Sequence, residues 1–144
     1  MLNKFLDTAG YISIRLKKTK SQHLVTKLEV NGFEGLFLID TGASNSCIRL
    51  DKENDFLLIG KKSTLQLSGA GSEKLKAKPT AKSNISYKGS FILKLKFFLL
   101  DMHAINSSLS DQGSETIDGI IGADFLKRTS AIIDYKSKKL FLKV

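Results

Sequence analysis

Apolar and polar residues alternate along most of this chain, and a repeat of two is typical of β-strands. The strand-like runs are residues 11–16, 24–30, 35–39, 63–69 and 91–101. Asn31-Gly32 lies between the second and third runs, and this dipeptide between two alternating segments predicts a tight hairpin turn. The pattern therefore predicts a mainly β protein in which residues 24–39 form a hairpin.

The last third of the chain changes its pattern several times. Residues 102–116 are small and polar, which predicts a surface loop. Residues 120–121 predict a short buried strand, and residues 123–128 predict a short helix directly after it. Residues 131–135 and 139–144 flank a lysine-rich turn and predict a terminal hairpin.

The length and composition indicate how many domains the chain has and in which cellular compartment it is expected. The chain has 144 residues, of which 42% are hydrophobic and 26% charged, and this suits one globular domain. We expect residues 1–22 to form an arm or an extra strand and residues 23–144 to form the main unit. Cys47 is the single cysteine and has no partner for a disulfide or a metal site. No apolar run reaches the length of a membrane span and no secretory signal is recognised, so we expect no membrane contact and a cytoplasmic location.

The charge of the chain is strongly basic. Lys and Arg number 23 against 14 Asp and Glu, for a net charge of +9. Such a balance is compatible with nucleic acid, an anionic membrane or an acidic partner. The lysines are spread along the chain, however, and no known nucleic-acid-binding motif is present, which favours a solvated surface. We therefore expect no nucleic-acid partner.

The run 35–39 ends directly on an acid, Asp40, and the small residues Thr41, Gly42, Ala43 and Ser44 follow. A carboxylate at the end of a buried strand is costly unless a cation, a hydrogen-bonded loop or a catalytic role compensates it. The glycine allows backbone N–H groups to approach a carboxylate oxygen, and the threonine hydroxyl is expected to hydrogen-bond within the loop. By itself, Asp-Thr-Gly is most often only a turn.

A second motif in the chain gives this loop a context. The segments LIDTGASNSCI (38–48) and IDGIIGADFL (117–126), taken together, resemble the retropepsin-like aspartic proteases. The resemblance implies an all-β fold, namely a retropepsin-like closed β-barrel of the acid-protease type with a flap hairpin and one short C-terminal helix. It implies no cofactor and no metal.

The resemblance also implies roles for individual residues. Asp40 is the catalytic acid, and Thr41, Gly42, Ala43 and Ser44 complete the loop around it. The strand residues Ile120, Ile121 and Gly122 pack against this loop. The flap tip that covers the substrate falls on Ser68, Gly69, Ala70 and Gly71.

The mechanism of this family needs two carboxylates that share one proton. This chain carries one Asp-Thr-Gly, because Ala9 follows Asp7-Thr8 and Asp118 is followed directly by Gly119. The resemblance therefore implies a homodimer with one Asp40 from each chain, and an extended peptide or protein as the substrate. The terminal strands are candidates for the sheet between the two chains.

Other readings of the same residues stay open. The chain is alternatively a catalytically silent dimerisation or peptide-binding module of the same fold, or a basic β-domain that binds nucleic acid. Asp40 is alternatively a structural loop acid. Cys47 is better explained as a small buried apolar residue than as a nucleophile, and Asp124 as a favourable charge at a helix start.

Overall fold

The computed structural model describes residues 1–61, 65–68 and 74–144, and only the backbone of residues 65–68, 74 and 75. The strands of this part of the chain are β1 (Tyr11–Arg15), β2 (Lys17–Lys18), β3 (Leu24–Val30), β4 (Phe33–Ile39), β5 (Cys47–Arg49), β6 (Leu65–Ser68), β7 (Lys74–Tyr87), β8 (Ser90–Leu100), β9 (Gly119–Ile121), β10 (Ile132–Asp134) and β11 (Lys139–Lys143). The helices are α1 (Leu2–Thr8), α2 (His103–Asp111) and α3 (Ala123–Arg128), and a 3-10 turn spans Leu50–Lys52.

Six strands close a barrel in the order β3, β4, β9, β5, β8, β7. The ring closes because β7 pairs back onto β3 through the pairs Glu29 with Ser86 and Val30 with Ile85. The short strand β2 extends the sheet beyond β3, and β6 pairs with the first part of β7. The prediction of an all-β fold with a closed barrel is confirmed.

The turn between β3 and β4 follows from two residues. Val30 pairs with Phe33, so Asn31 and Gly32 form a two-residue loop. Both have positive φ, 51° and 87°, which is the conformation of the turn type that Asn-Gly favours. The predicted hairpin is confirmed.

Two hydrophobic clusters lie on opposite faces of the barrel strands. The interior cluster includes Phe37, Phe97 and Ile121, and the outer cluster includes Phe98 and Ile120. Neighbouring residues of one strand thus belong to different clusters, because successive side chains point to opposite faces. The six-stranded wall is therefore buried on both sides in this region.

Helix α2 covers the outer cluster, and the prediction of a surface loop over residues 102–116 is wrong. Met102 and Leu109 are buried in that cluster, and Ile105 packs against it. The Asn106 side chain fixes the following segment, since its Nδ2 donates to the Ile117 carbonyl (3.1 Å) and its Oδ1 accepts the Ile117 N–H (2.8 Å). The sequence interpretation missed this helix because only one face of it is apolar, so that its overall composition is polar.

The helices differ in number from the expectation. Helix α3 spans the predicted residues 123–128, but α1 and α2 add two helices to the single one expected. None of the helices that the structure describes is long and apolar enough to span a membrane.

The predicted terminal hairpin is confirmed as β10 and β11. These strands form a three-stranded antiparallel sheet with β1, in the order β1, β11, β10. Leu140 and Leu142 of the central strand point into the interior cluster, so this sheet packs against the barrel.

Candidate active site

Asp40 lies directly after β4, at the point where two parallel strands end side by side. β4 and β9 pair in parallel, with Ile39 opposite Ile121. The Asp40 N–H donates to the Ile121 carbonyl (3.0 Å) and extends this pairing by one residue. The structure thus brings residues 40–44 and 120–122 together, and the Asp40 side chain is partly exposed at the barrel end.

The segment 40–46, named here the Asp40 loop, orients its own carboxylate. The Gly42 N–H donates to Asp40 Oδ1 (2.9 Å), and the Ala43 N–H donates to the Asp40 carbonyl (3.2 Å). The loop therefore fixes one carboxylate oxygen at a defined position.

Thr41 does not have the role that its position in the sequence suggested. Its side chain is exposed, and its hydroxyl makes no hydrogen bond with the residues that the structure describes. It borders a hollow of about 420 Å³ whose other lining residues include Leu126, Ala131 and Ile133. The threonine thus faces outward, toward a partly apolar surface of its own chain.

Gly122 lies so close to the Asp40 loop that only a glycine fits. A Cβ atom at this position would lie 2.6 Å from the Ala43 carbonyl oxygen. The Ala123 N–H donates to the same oxygen (2.7 Å), so the loop and the start of α3 are in direct contact. This close approach requires glycine at position 122, because there is no room for a side-chain atom beside the Ala43 carbonyl.

Ser46 and Asp124 join the end of the loop to α3. Ser46 is fully buried; its N–H donates to Asp124 Oδ2 (3.0 Å) and its hydroxyl donates to Asp124 Oδ1 (2.7 Å). The same hydroxyl accepts the Gly122 N–H (2.9 Å). The Ser46 carbonyl accepts the N–H of Phe98 in β8 (3.1 Å). One serine thus connects the loop with α3, with the residue that joins β9 to α3, and with β8.

Sequence reasoning missed Ser46 and gave Asp124 only a charge effect at a helix start. The two residues are 78 positions apart, so no local motif links them. The available signal was an acid in the first turn of α3 together with a hydroxyl residue just before β5.

Cys47 is buried behind the loop. Burial, followed by the charges of Asp124 and Asp40, raises the pKa of the Cys47 thiol from 9.0 to about 12. Its Sγ–H donates to the Asn45 carbonyl (3.4 Å). The thiol is therefore protonated at neutral pH. This fits a buried packing residue, because a cysteine nucleophile reacts as the thiolate.

Of the expected flap residues, only Ser68 lies in the part of the chain that the structure describes. Ser68 is the last residue of β6, and its backbone pairs with Lys74 of β7. Gly69, Ala70 and Gly71 lie outside the described residues. Among the residues that are described, no group of three or more His, Cys, Asp or Glu side chains could hold a metal ion.

The barrel with its Asp40 loop has the fold of retropepsin-like proteases, as solved structures show. A retropepsin-like aspartic protease from Rickettsia conorii is 19% identical, with 92% of this chain and 90% of that chain covered and a TM-score of 0.57. The retroviral protease-like domain of Ddi1 from Leishmania major is 19% identical, with 83% and 87% covered and a TM-score of 0.58. The EIAV protease, complexed with the inhibitor HBY-793, is 22% identical, with 76% and 90% covered and a TM-score of 0.51.

The sequence itself identifies the family. The family model described as "Aspartyl protease" matches residues 26–125, which is more than half of the chain. The chain therefore belongs to this aspartyl protease family. No curated protein matches the sequence significantly.

Proposed function

We propose that this chain is an aspartic endopeptidase that works as a homodimer. The observation that carries the proposal is the position of Asp40, at the end of paired strands with Oδ1 hydrogen-bonded by the Gly42 N–H (2.9 Å). A carboxylate that is oriented and still partly exposed suits proton transfer to and from a bound water.

The reaction uses one Asp40 from each chain. One carboxylate is ionised and takes a proton from water, whose oxygen then forms a bond to the carbonyl carbon of the substrate. The other carboxyl is protonated and gives its proton to the carbonyl oxygen. When the C–N bond of the resulting diol breaks, the protonated carboxyl gives its proton to the leaving amine. The other carboxylate takes a proton from a diol hydroxyl as the new carboxyl product forms, so the pair again holds one proton.

Three features support the second copy. The chain has one Asp-Thr-Gly, and two carboxylates are needed. Thr41 is exposed beside the hollow lined by Leu126 and Ile133, which gives a neighbouring chain both a hydroxyl and apolar surface to contact. The sheet of β1, β11 and β10 ends in two edge strands, and edge strands pair readily with other chains.

The same proposal extends to the substrate and to the parts of the chain. An extended peptide lies across the Asp40 pair, where Ala43 and Ser44 leave room for its backbone, and residues 68–71 cover it. Residues 23–144 act as the protease unit and residues 1–22 as an added segment. The cytoplasmic location stays a prediction.

The test compares Asp40→Asn with Asp7→Asn, a matched change at an exposed acid outside the loop. We expect Asp40→Asn to lower peptide cleavage by at least about a hundredfold while the dimer mass in solution is unchanged, and Asp7→Asn to cleave normally. Light scattering with and without a transition-state-mimicking peptide inhibitor measures the assembly. Full cleavage by Asp40→Asn, or a strict monomer in both conditions, overturns the proposal.

A further inference from the structure

A groove of about 570 Å³ runs over the outer face of β3 and β4, and we name it the basic groove. Among the residues that the structure describes, six cationic ones line it: Arg15, Lys17, Lys18, Lys27, Lys88 and Lys138. Three glutamates, Glu29, Glu34 and Glu115, also line it. Cations thus outnumber acids two to one in this groove.

The basic groove is separate from the Asp40 loop. Leu24 and Leu28 of β3 point into the barrel, so Val25, Lys27 and Glu29 face outward. Leu36, also in the groove, is four residues from Asp40 along β4, roughly 13 Å for an extended chain. A ligand in the groove therefore does not need the catalytic position.

Internal ion pairs consume only part of the positive charge. Lys17 pairs with Glu115 (3.0 Å), and Lys27 pairs weakly with Glu34 (3.9 Å). Glu29 accepts the N–H of Gly89 (2.9 Å).

The other cations are exposed. Among the described residues, no carboxylate forms an ion pair with Arg15, Lys18 or Lys138. Lys88 lies 5.4 Å from the centre of the Tyr87 ring. An uncompensated positive charge of this kind attracts an anionic ligand.

Part of the lining of the groove is apolar. Val25 is buried there, and Leu36 and Tyr87 are half-buried. The aliphatic parts of the surrounding lysines add to this apolar surface. The groove thus offers contacts to apolar side chains as well as to carboxylates.

We infer that the basic groove binds an extended acidic segment of a partner protein. Carboxylates of the segment contact Arg15, Lys18 and Lys138, and its apolar side chains lie over Leu36 and Tyr87. The three glutamates argue against nucleic acid, because negative side chains in the groove repel the negative charge on every phosphate. A peptide can place its acids only where the cations are. The inference is independent of catalysis by Asp40.

The test measures fluorescence anisotropy of a labelled peptide of about ten residues rich in Glu, Asp and Leu. The protein is the full chain with Asp40→Asn, so that cleavage does not consume the probe. The groove variant is Lys18→Glu/Lys138→Glu. The matched control is Lys4→Glu/Lys94→Glu, at two exposed lysines outside the groove, and each variant lowers the net charge by four units. Thermal unfolding checks that both variants are folded.

We expect the groove variant to bind the acidic peptide about tenfold more weakly than the parent, and the control to change by about twofold or less. Equal losses in both variants mean unspecific attraction to a basic protein and overturn the inference. No binding of the acidic peptide to the parent chain also overturns it. Tighter binding of a single-stranded RNA probe that displaces the peptide overturns it in favour of nucleic acid.

Discussion

The two ends of β4 use glycine for different reasons. At the hairpin end, Gly32 has φ of 87°, and a Cβ atom there would have no neighbour within 4 Å. At the Asp40 end, Gly122 has an ordinary extended conformation, but a Cβ atom would meet the Ala43 carbonyl at 2.6 Å. The first glycine is required by its backbone conformation and the second by the space beside it.

This difference separates local from tertiary control of the backbone. The Asn31-Gly32 turn forms because two adjacent residues tolerate positive φ. The Asp40 loop has its shape because Ser46, Gly122 and Asp124 connect it to elements from the far part of the chain. Substitutions at the Asp40 end should therefore affect both stability and activity, and substitutions at the hairpin end stability alone.

The largest effect is expected from Asp124→Ala. This change removes the acceptor of both Ser46 donors, and Ser46 is fully buried. We expect the free energy of unfolding in urea to fall by about 3 kcal/mol, together with a loss of peptide cleavage.

Asp124→Asn is the control for this change, because its side-chain oxygen still accepts one of the two hydrogen bonds. It should lose about half as much stability. Equal stability of Asp124→Ala and the parent chain contradicts the role of this contact.

A smaller effect is expected from Gly122→Ala. The added methyl group must displace the Ala43 carbonyl, so we expect a loss of about 2 kcal/mol and weaker cleavage. The matched change Gly32→Ala should cost about 1 kcal/mol, because alanine is strained at positive φ, and leave cleavage unchanged. If both variants cleave equally well, the contrast between the two ends of β4 is wrong.

The smallest effect on stability at neutral pH is expected at the Cys47 thiol, which is tested through its reactivity. Since its pKa is about 12 in the folded chain, we expect iodoacetamide at pH 8 to modify it roughly a thousandfold more slowly than in urea. Because the folded chain keeps this thiol protonated, the contribution of Cys47 to the free energy of unfolding is complete below pH 9. It is lost as the pH rises from 9 toward 12. The stability difference between the parent and Cys47→Ala should shrink over that range. Rapid modification of the folded chain at pH 8 contradicts this picture.

Local rules predicted the elements that depend on few residues. The Asn31-Gly32 turn and the bounds of α3 agree with the sequence interpretation because turn and helix signals are contained within these segments. The adjacency of Asp40 and Ile121 was expected only through resemblance to a family, since the parallel pairing of β4 and β9 leaves no local signal.

The features that were missed depend on distant contacts. Residues 103–111 read as a loop because their polar face dominates the composition, and their helix is defined by burial of Met102 and Leu109 on the barrel. The hydrogen bonds between Ser46 and Asp124 were missed because they join residues 78 positions apart. They form only when β9 and α3 pack against the Asp40 loop.

The β4–β9 pairing also has a consequence for how the chain folds. The Leu36 N–H donates to Asp118, and these residues are 82 positions apart. Contacts between residues so far apart in sequence require the closure of a long loop, and the entropy lost in closing it slows folding. During synthesis, β4 and the Asp40 loop cannot form their contacts with β9 until β9 has left the ribosome. The β3–β4 hairpin is available early, and the geometry around the carboxylate is completed late.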